Sequence, residues 1–312
     1  MIARPVTSSW PELPLEAWRA TCDTLHAHTQ VLGKLAVELA PPEPQLQHAA
    51  LELTARGWET KPLPAPDGSG ALVAALDLHS HEAVVEHSDG RLERVALTPD
   101  RPVGEVTREV LAAARSLGGP VKINPAPQET GWGMPLDEDT EHATYDPAKV
   151  GTYFAAATQA ALVLAALRAP YRGRSTPVNA WWGSFDLAVS LFSGVTVDPP
   201  PQGGFILRNA GDAQQIEVGW WPGDDRYPRA AFYAYAHPAP EGFPDGKLSP
   251  ADARWDTTLG EYILDWDDVR RSHDPHATAL TFARSAVAHA CVVCGWDPAL
   301  AGSLDGDPPP VI

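Results

Sequence analysis

The sequence predicts an α+β protein of two similar halves, each an antiparallel sheet of about four strands flanked by helices. Three observations carry this expectation. Helical apolar periodicity occurs at four places, short β-rich stretches alternate with Gly, Pro and Asp-Gly turns, and the order helix, strands, helix recurs after residue 147.

In the first half, Trp18, Cys22, Leu25, Val31, Leu32, Leu35 and Leu39 recur mostly three and four apart, and Pro41-Pro42 ends the pattern. A long amphipathic helix is predicted over 15–39. Strands are expected over 49–55, 71–79, 82–87 and 91–97, and a second helix over 103–117 stops at Gly118-Gly119. A short strand over 121–123 closes this half.

In the second half, Pro147 opens a helix that reaches about Leu167. Strands are predicted over 178–192, 215–221, 231–237 and 259–264, and a final helix over 275–294. The resulting division is 1–124, an acidic, Pro-rich connection over 125–146, a second half over 147–298 and a loose tail over 299–312. Internal duplication is the reading of the repeated order.

Composition narrows the partners. With 44% hydrophobic and 20% charged residues the chain has enough apolar content to fold. A formal charge of −17 repels phosphate backbones and anionic lipid surfaces, so neither nucleic acid nor membrane is expected as a partner. The longest apolar run, 160–167, is far below the roughly 20 residues of a spanning helix. The first residues, MIARPVTSSWPELP, lack the apolar stretch of a secretory signal, and three cysteines are too few for a disulfide framework. The expected location is cytoplasmic.

The strings WPELP (10–14), EHATYDP (141–147), WGSFDLAVSLFSG (182–194), GWWPG (219–223) and FYAYAHPAPEG (232–242) give the chain a second identity. From Trp10 to about Asp297 it resembles a bacterial family that shares a domain of unknown function. The resemblance implies no activity. The family pattern tends to carry Arg where this chain has Leu191 and Val195, Trp where it has His28, and an aromatic where it has His237.

Candidate chemistry gathers in the second half. If 178–192 is one strand, its alternation places Trp182, Ser184, Asp186 and Ser190 on one face. The same period groups Tyr233, Tyr235 and His237. Facing each other, these sets would form a pocket for a small polar or aromatic ligand, with Trp182, Ser184, Tyr233 and Tyr235 binding it and Asp186 and His237 as a general base and acid. Packing residues in antiparallel strands offer the plainer explanation of the same pattern. An association surface on exposed aromatics of GWWPG and FYAYA is the alternative from another functional class.

Other candidates carry less. The run DEDTEHATYD adds His142 and Tyr145 as ligand contacts, but it has His142 where a calcium loop needs Gly and Ala148 where it needs Glu. Asp146 reads better as the cap of the following helix. His289, Cys291 and Cys294 lack the fourth ligand of a zinc site, and a cysteine pair at a helix C-terminus is poorly placed for redox work. His26, Gln30 and Lys34 share a helix stripe that reads as a solvated face. No phosphate-loop, dinucleotide, nucleophile-elbow or zinc-protease motif occurs, so no metal is assigned and no cofactor is named.

Overall fold

The computed structural model describes residues 10–199 and 201–302. A 3-10 turn, Leu15–Ala17, leads into helix α1, Arg19–Leu39, which ends where Ala40 turns extended before Pro41. Strands β1 (Leu51–Leu53), β2 (Gly57–Glu59), β3 (Leu63–Pro64), β4 (Ala71–Asp77), β5 (Glu82–His87) and β6 (Leu92–Ala96) precede helix α2, Val103–Gly118. Helix α3, Pro147–Arg168, is followed by β7 (Asn179–Trp181), β8 (Asp186–Thr196), the short helix α4 (Phe205–Ala210), β9 (Ala213–Trp221) and β10 (Ala231–His237). Strands β11 (Arg254–Asp256) and β12 (Glu261–Asp265) then lead to helices α5 (Trp266–Arg271), α6 (Pro275–Val293) and α7 (Pro298–Ala301).

The fold is α+β, with every strand pairing antiparallel in a 12-stranded sheet. Its order is β11-β12-β10-β9-β8-β7-β1-β2-β4-β5-β6, with β3 beside β4. The strands of the two halves do not form separate sheets. Leu51 of β1 pairs with Ala180 of β7, so the first strand of each half covers the edge of the other. From that junction outward the orders differ, β1-β2-β4-β5-β6 with β3 set beside β4 in the first half and β7-β8-β9-β10-β12-β11 in the second, so strand order does not establish an internal duplication.

Sequence and structure differ locally for physical reasons. The segment 121–123 pairs with no strand; Val121 and Ile123 are buried, and the Val121 carbonyl accepts from Arg115 Nε at 3.1 Å. The predicted strand 178–192 is a hairpin, because the chain reverses through Trp182 to Phe185 and pairs Trp181 with Asp186. Phe185 adopts a left-handed backbone, φ 57°, which stops the extended run. The predicted tail starts within α7, and residues 303–312 lie outside the described residues.

Helix α3 explains its unusual apolarity by position. Val150, Tyr153, Phe154, Val163, Leu164 and Leu167 are buried where α3 packs on β8, β9, α1 and α6. By length and composition alone it could cross a membrane, but half of that window is buried inside the protein. Asp146 caps it as expected, accepting from the Ala148 and Lys149 amides at 2.9 and 3.3 Å.

The stripe His26, Gln30, Lys34 is not a solvated face: Gln30 is 0% and Lys34 6% exposed. Gln30 exchanges two hydrogen bonds with the backbone of Gln128, at 2.9 and 2.8 Å, and Lys34 Nζ donates to the Ala126 carbonyl at 2.6 Å. His26 Nε2 lies 2.9 and 3.0 Å from the Trp182 and Gly183 carbonyls. One helix face thereby fixes both the connection near residue 128 and the hairpin tip. Helical periodicity alone could not reveal this, because the partners are backbone groups distant in sequence.

Candidate functional site

Alternation on three adjacent strands builds a polar face opposite the helices. Register pairs Ser190 with Glu217 and Glu217 with Tyr235, and it pairs Tyr233 with Gly219. Asp186, Ser190, Glu217, Tyr233 and Tyr235 therefore project to one side, while Val218, Trp220 and Phe232 are buried on the other. Above this face lies a cavity of about 820 Å³. Its walls add Trp181, Phe185, Trp221 and Glu261, together with Glu129 and Trp132 from the connection.

The hydrogen bonds converge on two carboxylates. Asp186, 4% exposed, accepts from the Ser184 and Tyr233 hydroxyls. Glu217, 8% exposed, accepts from Ser190 Oγ at 2.7 Å and from Tyr235 Oη at 2.9 Å. Tyr233 Oη also lies 3.4 Å from Glu217 Oε1. A phenol has one hydrogen, so these two acids share one donor.

The charge of Arg226 partly offsets Glu129 and Glu261 from a distance, but no cation is paired with the cluster among the described residues. Among the described residues no ion pair reaches Asp186, Glu217, Glu129 or Glu261, and the two arginines of the wall are engaged elsewhere. Arg19 meets Asp225 at 2.7 Å, and Arg226 meets Asp224 at 2.9 Å. Burial, reinforced by the charge of Glu217, raises Asp186 to about 7 against the hydrogen bonds from Ser184 and Tyr233. Burial followed by Glu217 and Asp186 raises Glu261 to about 8. Burial also raises Glu217 and Glu129, and it holds both tyrosines well above the usual phenol range.

Ring packing fixes the walls. Tyr233 and Tyr235 lie nearly parallel at 6.2 Å, and Trp221 meets Tyr233 edge-on at 5.5 Å. His26 lies between Trp132 and Phe185, each 5.0 Å away. Burial lowers His26 to about 4, so near neutral pH it is an uncharged donor to the hairpin carbonyls.

The sequence-derived residues divide accordingly. Ser184, Asp186, Tyr233, Tyr235 and His237 all line the cavity. His237 nevertheless does not pair with Asp186; its Nε2 lies 3.1 Å from the Gly211 carbonyl, opposite Gln215 at the far end of β10. Trp182 does not reach the cavity wall. Its indole nitrogen donates to the Ala49 carbonyl at 3.0 Å, and its ring covers Gly33, where a Cβ would stand 2.1 Å away.

His142 and Tyr145 also lie off the wall. His142 Nδ1 is 2.7 Å from Asp139, whose hydrogen bond raises the imidazole, and its ring tilts against Trp132 at 4.5 Å. Tyr145 is buried, with its hydroxyl 3.0 Å from His81 Nδ1. Cys291 is buried near the C-terminal end of α6, and burial raises its thiol to about 12, opposite to the shift of a reactive cysteine. No group of three or more His, Cys, Asp and Glu suited to a metal ion occurs among the described residues.

The sequence reading missed Glu217, Glu129 and Glu261. Alternation of Gln215, Glu217 and Gly219 against Ile216, Val218 and Trp220 carried a signal for the first. Glu129 and Glu261 belong to the connection and to a strand end, where periodicity says nothing about their convergence.

No curated protein and no solved structure matches the chain. The model of a family of unknown function, DUF5996, matches residues 10–302, and the chain belongs to that family.

Proposed function

We propose that the cleft binds a small organic cation, placing an ammonium or guanidinium group at Asp186 and Glu217 and its carbon framework against Tyr233, Tyr235 and Trp221. The observation that carries this reading is the sharing of one tyrosine hydroxyl by two buried carboxylates that have no ion-pair partner among the described residues. Ionising both acids without compensation is costly in a buried site, and a bound cation would supply the missing charge. Aromatic faces suit such a guest because their quadrupole attracts positive charge.

The aromatic strings offer little support for an association surface. Trp220 and Phe232 are fully buried, and Trp221 is a wall of the cavity.

A thermal-shift comparison of primary amines and guanidines with their neutral alcohol and amide analogues tests the proposal. A cation at 100 times its dissociation constant stabilises the fold by about 2.7 kcal/mol. Neutral analogues leave the wild type unchanged, and Glu217→Gln weakens the response to cations. Equal responses to charged and neutral members would contradict the reading.

A further inference from the structure

We propose that the guest carries two separated positive nitrogens, as in a linear diamine or oligoamine; this inference rests on the cation-binding reading above. The carboxylates occupy more than one wall. Asp186 and Glu217 are joined by Tyr233 on β8, β9 and β10, whereas Glu261 begins β12 on the far side of β10. Two strand spacings, about 10 Å, separate the backbones of β9 and β12, with the Tyr235 strand between them.

Glu129 supplies a third position. It descends from the connection, and its Oε2 would lie 2.8 Å from a Cβ placed on Gly183, so it approaches from the hairpin side. Neither the Glu129 nor the Glu261 carboxylate takes part in a hydrogen bond or ion pair among the described residues, although Arg226 acts on both from a distance.

Charge bookkeeping favours more than one nitrogen. With Arg19 and Arg226 in ion pairs with Asp225 and Asp224, the wall retains Asp23, Glu129, Asp186, Glu217 and Glu261 outside any ion pair among the described residues, with Arg19 acting on Asp23 and Arg226 on Glu129 and Glu261 only from a distance. One ammonium at Asp186 and Glu217 leaves Glu261 and Glu129 with only the longer-range charge of Arg226, which is itself paired with Asp224. A second nitrogen, carried past the Tyr235 ring on an aliphatic stem, places charge near them while keeping methylenes against aromatic surface. The cavity volume of about 820 Å³ accommodates such a chain.

The test is calorimetric titration of the full chain with 1,4-diaminobutane, 1,5-diaminopentane, butylamine and 4-aminobutan-1-ol at constant pH and ionic strength. The expected result is at least tenfold tighter binding of a diamine than of butylamine or the amino alcohol. Glu261→Gln and Glu129→Gln, checked for folding by circular dichroism, should each narrow that ratio. Equal affinities for diamines and monoamines would overturn the two-nitrogen inference while leaving cation binding standing. Absence of binding by every amine to the folded wild type would overturn both.

Discussion

Gly219 lies directly beneath the ring of Tyr233: a Cβ on Gly219 would stand 2.3 Å from Tyr233 Cζ. The two residues are cross-strand partners on β9 and β10, and the absent side chain lets the phenol lie across the strand toward Asp186. Gly219→Ala should therefore displace Tyr233 and cost about 1–3 kcal/mol by overpacking. Denaturant unfolding checks the stability loss, and titration with an amine checks whether binding weakens with it. Wild-type stability in Gly219→Ala would show that the ring has room to move.

Tyr233→Phe retains the ring and removes the shared donor. The tyrosine hydrogen bond opposes the rise in the Asp186 pKa, so its loss should move that carboxyl further upward. Carbon-detected NMR titration of the Asp186 carboxyl measures the change. A downward shift would mean that the hydroxyl does not stabilise the carboxylate.

Stability should depend on pH with a definite sign. The unfolded Asp186 releases its proton near the ordinary aspartate value of 3.8, whereas the folded residue retains it to about 7. Between these values the folded state binds more protons, so this contribution is present at low pH and is lost as pH rises toward and through about 7. Glu261 extends the window to about 8. Relative to wild type, Asp186→Asn should gain stability as pH rises from 4 to 8, by on the order of a few kcal/mol. Paired urea melts at several pH values would refute this if the difference were flat.

Gln30→Ala should loosen the connection that carries Glu129 and Trp132. It removes both hydrogen bonds to the Gln128 backbone and should cost about 1–3 kcal/mol. Faster amide hydrogen exchange at Gln128, with little change at the centre of β9, is the expected signature. Unchanged exchange would assign the hold on this segment to Lys34 and its neighbours.

These residues also mark how far the sequence could be read. Asp146-Pro147 announced α3 because cap and first-turn chemistry are local. The hairpin between β7 and β8 was hidden because alternation continued through Trp182 to Phe185 while the backbone reversed there. Asp186 and both tyrosines were identifiable from strand period, but His237 was placed on the right face at the wrong end of the site. Period fixes the face; inter-strand register determines which residues meet. The fully buried Gln30 was misread because its backbone partners come from a distant connection.

Cation capture by Asp186 and Glu217 can be read out by proton-coupled calorimetry. Butylamine titrated into wild type and Asp186→Asn/Glu217→Gln in two buffers of different ionisation enthalpy gives affinity and proton release together. Binding should tighten from pH 5.5 to 8, release protons near neutrality and weaken at least tenfold in the folded double variant. Absence of amine binding, or the same affinity in both proteins, would contradict it.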